Sequence, residues 1–304
     1  MTTSRPHPHP HPQTPVGGAE QPVHPDHDRG LEFDVRTLVA RRSALGLLSG
    51  AGLLALVGCS DGTSAATTVT ASGASTTNAA TDSATPGATA STTAVDAVVP
   101  EETAGPFPGD GSNGADVLDD SGIVRHDITS SFGTSTTTAT GVPLTVHLTV
   151  LDSDAGYVAM EGVAVYAWHA DAQGRYSMYS QGVEHENYLR GVQPTDASGT
   201  ASFTTVFPGC YDGRWPHIHF EVYRSTKEAT SDGRIVRTSQ VALPRAASEA
   251  VYGDSATYPS SAANLARTSL TRDMVFGDDG GIHQLATVTG DAAAGYVAAL
   301  TVAV

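Results

Sequence analysis

The most regular pattern in the chain is a two-residue alternation of apolar and polar side chains, recurring in short runs after residue 99. Val142, Leu144, Val146, Leu148 and Val150 occupy every second position, which predicts a strand with one face against a core. Residues 162–169 predict a second strand, ending at the turn sequence Asp171-Ala172-Gln173-Gly174. Asp196-Ala197-Ser198-Gly199 is another turn, leading into a strand over 200–207 that Pro208 and Gly209 break. In residues 216–223, Ile218, Phe220 and Val222 alternate with His217, His219 and Glu221, a strand again. Residues 235–243 and 295–304 read as further strands, and Pro244 opens a short helix over 244–252. Many short strands, frequent turns and little helix predict an all-β domain, a β-sandwich with few short helices.

Ahead of that domain the alternation is missing. Residues 1–42 are polar and Pro-rich, with a His-Pro run over 7–12. The run reads as a low-complexity leader rather than a metal site, because alternating prolines prevent regular structure and no carboxylate or cysteine framework surrounds it. Arg41-Arg42, an apolar run over 44–57 and Leu56-Val57-Gly58-Cys59 have the parts of a secretory signal. The apolar run is shorter than the roughly 20 residues that span a bilayer. Its end resembles a bacterial lipobox, in which Cys59 would be lipidated and become the mature N-terminus. The arginine pair resembles a twin-arginine export signal, although Ala40 and Ala44 depart from that pattern. Residues 60–98 are almost all Ser, Thr, Ala, Gly and Asp, with no aromatic side chain to offset the entropy of ordering, and read as a disordered tether. The expected organisation is an export signal over 1–59, a linker over 60–98 and one folded domain over 99–304, exported and held at the cell surface by lipid or released outside the cell.

Charge narrows the partners. The chain has 16 basic and 32 acidic residues. Five of each lie up to Cys59, so the remainder carries 11 minus 27, the whole net charge of −16. Such a chain is a poor match for nucleic acid or an anionic bilayer, leaving a lipid anchor as the expected membrane contact. With only two cysteines, Cys59 and Cys210, there is no disulfide framework, and Cys210 reads as a small buried thiol.

The candidate chemistry lies in the strand over 216–223. Alternation puts His217 and His219 on one face, about 7 Å apart at Cα, where both imidazoles can reach one metal ion. His-x-His alone is a weak motif and reads equally as a structurally hydrogen-bonded pair. Its company strengthens it: Tyr211 and Arg214 precede it on an Asp212-Gly213 turn, and Gly174-Arg175-Tyr176-Ser177 follows the earlier turn. Phenolate is a hard anionic donor that suits a hard, highly charged ion. Since a free phenol has a pKa near 10, binding must release its proton, which a trivalent ion can drive.

These segments resemble the intradiol ring-cleavage dioxygenases, the non-haem Fe(III) enzymes that open catechols between their hydroxyls, and in particular their secreted, lipoprotein-like branch. The resemblance is carried by residues 163–177, by Leu189-Arg190-Gly191 with Thr195-Asp196, and by residues 207–219. Residues 238–244 and Glu102-Thr103-Ala104-Gly105-Pro106-Phe107 also match, so the likeness spans about 100–290. It implies an intradiol-type β-sandwich with Fe(III) held by Tyr176, Tyr211, His217 and His219. Tyr211 corresponds to the ligand that leaves when substrate binds, and Tyr176 to the one that stays. Arg214 matches the cation that stabilises the electron-rich substrate, and Gln240 a polar residue of the substrate pocket. The reactants would be a small aromatic diol and O₂, and the product a cis,cis-muconate-type diacid. Trp215 stands where the family often has a small residue, which leaves pocket width open. The helical segment that dimerises the family's intracellular catechol dioxygenases has no counterpart, so the oligomeric state stays open, a monomer included.

The competing readings use the same residues. A non-catalytic exported β-sandwich binding module on a Thr-rich stalk would need no convergence of the four candidate ligands. A zinc hydrolase built on the histidine pair would lack a carboxylate base, and two phenols are unusual zinc ligands. Tyr166, Tyr179, Tyr188 and Tyr223 are assigned to packing or rim, His169 to structure, and Asp171, Asp196 and Asp212 to turns.

Overall fold

The computed structural model describes residues 97–304; the proposed signal, Cys59, the His-Pro run and nearly all of the linker lie outside it. Its strands are β1 (Pro143–Asp152), β2 (Val158–Ala159), β3 (Ala164–Trp168), β4 (Arg190–Pro194), β5 (Thr200–Val206), β6 (His217–Tyr223), β7 (Ile235–Ala242), β8 (Thr287–Asp291) and β9 (Gly295–Ala303). Short helices α1 (Thr226–Ala229), α2 (Arg245–Val251) and α3 (Ser261–Arg267) fill the connections.

Two sheets form the domain. In the first, β1 pairs with β9 in parallel, while β2 and β5 pair antiparallel with β1 and β8 with β9. The second is antiparallel throughout, in the order β4-β3-β6-β7. The alternation seen in the sequence explains their packing. Val146, Leu148 and Val150 of β1, Phe203 of β5 and Val302 of β9 meet Val165, Ile218, Phe220 and Val222 of the second sheet in one buried core. Burying each such side chain contributes roughly 1.5–3 kcal/mol.

Every residue of β6 is buried, on both faces. The histidine face is covered by a second apolar cluster in which Tyr166 and Trp168 of β3, Tyr223 of β6 and Tyr176 lie with Val117, Leu118 and Ile123 from the N-terminal segment. The second sheet is therefore sandwiched between the first sheet and a layer of loops. The candidate site lies on its loop-covered face.

Candidate active site

Register places the central side chains. Trp168 of β3 and Gln240 of β7 stand directly opposite His219 on either side, so all three project from the same face. The His219 ring stacks on Trp168, with centroids 4.9 Å apart and planes 10° from parallel. His217 is fixed differently: its Nδ1–H donates to the Trp215 carbonyl at 2.5 Å, which turns Nε2 inward without a proton. Burial, with the Arg214 charge beside it, holds the His217 imidazole down at about 3. His219 is likewise held well below its ordinary 6.5, by burial and then by His217 and Arg214. Both rings are neutral at physiological pH, as metal-ligating imidazoles must be.

Two turns bring the phenols. Asp171 caps the first, its Oδ1 accepting from the Gln173 and Arg175 amides and its Oδ2 from the Arg175 guanidinium. Gly174 sits at φ +82°, where a Cβ would come 3.1 Å from the Tyr211 Cβ, so the two tyrosine-bearing segments are packed directly together. Tyr176 is 2% exposed and its ring lies 5.2 Å from that of Phe107. Tyr211 is half-buried, on the outer side of the cluster.

Four donor atoms converge. Tyr176 Oη lies 3.1 Å from His219 Nε2, 3.4 Å from His217 Nε2 and 3.4 Å from Tyr211 Oη. Tyr211 Oη is 3.2 Å from His217 Nε2, and the two Nε2 atoms are 3.1 Å apart. Hydrogen bonding alone does not account for this: at most two phenol protons and one on His219 Nε2 point inward, against five close contacts. Donors spaced by this much around a common centre lie about 2 Å from it, the ordinary metal–nitrogen or metal–oxygen distance. The donor set therefore fits a metal ion, and its two phenols suit a hard ferric ion. Among the described residues no group of three or more His, Cys, Asp or Glu is placed to hold a metal, so binding depends on the phenols.

The cluster contains all four tyrosines and histidines singled out in the sequence, and the competing phenols are elsewhere. Tyr166 donates to the Pro108 carbonyl, Tyr179 to Asn113, Tyr188 to Asp171 and Tyr223 to Glu221. His169 bonds to the Ala170 carbonyl and the Thr205 hydroxyl, and is structural. Cys210 is buried, and burial pushes its thiol up to about 12, which makes it inert. Trp215 does not narrow the site: its indole lies in the main core, donating to the Leu243 carbonyl beneath Arg245.

Arg214 is 1% exposed, and its surroundings were only partly foreseeable. Its Nη2 donates to Gln240 Oε1 at 2.6 Å, and Gln240 Nε2 donates in turn to the Thr103 carbonyl at 3.0 Å. Its Nε donates to Asp273 Oδ2 at 3.0 Å. Burial opposes the Asp273 charge, but Arg214 and the Trp215 amide outweigh it and hold the carboxyl below its ordinary 3.8. No periodicity or local motif marked Asp273, which lies 59 residues from its partner. The segment over 102–108 closes this side. A Cβ on Gly105, at φ +72°, would lie 3.4 Å from His219 Cε1. Arg190 ties Phe107 and Pro108 to Ser177 through their carbonyls.

Comparison with known proteins bears on the fold and on the segment that carries the cluster. The dioxygenase family model matches residues 122–224, a stretch that includes Tyr176, Tyr211, Arg214, His217 and His219 but stops before Gln240 and Asp273. An intradiol ring-cleavage dioxygenase from Tetranychus urticae is 23% identical, covering 68% of this chain and 94% of that one with a TM-score of 0.54. A second solved dioxygenase is 23% identical over 68% of this chain and 93% of its own, with a TM-score of 0.53. No curated protein matches the chain. At this identity the structural likeness is one of fold: the described residues have the intradiol ring-cleavage dioxygenase fold, and the chain resembles that family in sequence where its candidate ligands lie.

Proposed function

We propose that the protein is an exported, lipid-anchored Fe(III) intradiol dioxygenase, opening a catechol-type ring between its hydroxyls with O₂ to give a cis,cis-muconate-type diacid. The observation that carries this reading is the convergence of Tyr176, Tyr211, His217 and His219, five of whose six donor pairs lie 3.1–3.4 Å apart. A ferric ion held there would chelate the diol and make its ring electron-rich enough to react with O₂.

The chain's own groups have distinct parts. Tyr176, buried and packed against Phe107, is a permanent ligand, and Trp168 and the Trp215 carbonyl orient the two imidazoles. Tyr211, half-buried on a turn containing Gly213, is the more exposed of the two phenols and the one that would leave on substrate binding. Its phenolate oxygen can accept one catechol proton as it leaves, acting as general base. The other would be released to solvent, so that the substrate would bind as the dianion. Arg214 supplies fixed positive charge where negative charge develops on the ring, in a buried setting where such charge counts most. The 102–108 segment excludes water from that side.

The test is turnover under ¹⁸O₂ with catechol and its substituted relatives. Both oxygen atoms of one O₂ should appear in the diacid. Incorporation of one atom or none, with the ring still consumed, would exclude the intradiol reaction.

A further inference from the structure

We propose that Asp273 is a positioning residue for this reaction, setting the catalytic guanidinium of Arg214. The inference rests on the dioxygenase reading above.

The carboxylate is fixed before it fixes anything else. Its Oδ1 accepts from the backbone amides of Val275 and Phe276, at 2.8 and 3.2 Å, so its own loop determines its orientation. Oδ2 then accepts twice, from Arg214 Nε at 3.0 Å and from the Trp215 amide at 2.6 Å. One oxygen thus grips the arginine side chain and the next peptide along the chain. The Trp215 carbonyl accepts from His217 Nδ1, which continues the chain of contacts to a candidate ligand. Phe276 adds a second hold, its ring lying 6.5 Å from that of His217 at 68°.

The ion pair is buried on both sides, with side chains 2% and 0% exposed. Surface charge screening therefore does not govern it, and its geometry is set by partners rather than by solvent. With Gln240 on the opposite arm, Arg214 is gripped at Nε and at Nη2. A guanidinium gripped at both ends is pre-organised toward the ring, and displacement of such a group by about 1 Å can cost on the order of 100-fold in rate. Asp273 touches neither substrate nor metal in this arrangement. Its effect is transmitted.

The test uses the ferric protein carrying Asp273→Asn, Arg214→Met and both together, with Asp273→Glu as the variant that keeps the buried charge should Asp273→Asn fail to fold. Iron content, thermal midpoint, anaerobic catechol affinity and kcat are measured on each. Asp273→Asn should keep its iron and bind catechol within about threefold of the parent, while kcat falls about 10- to 100-fold. The double variant should be no slower than Arg214→Met alone, because both act through the same guanidinium. Asp273→Glu should show the same split between affinity and kcat. Multiplying losses in the double variant, an unchanged kcat in Asp273→Asn, or a parallel fall in iron, affinity and rate would overturn the proposal. A parent protein that binds no iron, or binds it without opening catechol, would instead overturn the underlying reading, and with it the role assigned to Asp273.

Discussion

Tyr176, His217 and His219 are the residues on which the site depends most directly. Tyr176→Phe, or replacement of either histidine by Ala, should lose bound iron or abolish turnover while the sandwich stays folded. Metal analysis beside circular dichroism checks this, and full turnover in all three would remove the ligand assignment. The same burial gives a pH signature to the metal-free protein. His169, held at about 4, His217, held at about 3, and His219 all have folded values below the ordinary 6.5. The unfolded chain therefore binds more protons, so stability falls as pH drops below about 6.5. Glu221 opposes this: burial pushes its carboxyl up to about 7, so its contribution is lost as pH rises from about 4.5 to 7. Between pH 4.5 and 6.5 three imidazoles outweigh one carboxyl, and the thermal midpoint should fall with acidification. A midpoint that rises on going from pH 6.5 to 5 would contradict neutral, buried imidazoles. Iron should steepen the slope, because ligation releases the phenol protons and widens the difference in bound protons between the unfolded and folded chain.

At the scale of elements, most of what positions the site was legible from periodicity. Residues 216–223 read correctly as a strand because three apolar side chains alternate with His217, His219 and Glu221, and β1, β3, β5, β7, β9 and α2 follow their predicted segments. The strand β4 escaped notice because Arg190-Gly191-Val192-Gln193-Pro194 carries Gly and Pro and no alternation. The exposed edge strand β8 lacked an apolar face to announce it. Asp273 was invisible for a different reason: its function is a contact across 59 residues, and no local spacing encodes that. The turn at Gly174 allows an element-level prediction. Gly174→Ala should cost about 1–2 kcal/mol for the left-handed backbone and also push Tyr211 aside. Gly133→Ala, at φ +75° with nothing within 4 Å of its Cβ, is the control. Both should lower the thermal midpoint, but only Gly174→Ala should alter the tyrosinate absorption of the ferric protein. Equal spectra would separate the turn from the placement of Tyr211.

The whole molecule combines an acidic β-sandwich domain with a proposed export leader. The candidate site uses the outer face of the second sheet, and loops seal it, which explains how a β6 strand rich in polar groups is buried throughout. The proposed lipid anchor makes a separate prediction. In the full-length chain expressed in a bacterial host, Cys59→Ser should move the protein from the membrane fraction to the soluble one. Unchanged partitioning would refute the lipobox reading and leave the chemistry of the domain untouched.

The most direct measurement of the central claim is a visible spectrum with an iron assay on the purified protein, before and after anaerobic catechol. One ferric ion per chain and a red-brown tyrosinate-to-iron band that shifts when catechol binds are expected. A protein that stays colourless after ferric reconstitution would contradict the ligand role of Tyr176, Tyr211, His217 and His219, and would leave a β-sandwich whose four converging side chains serve some other end.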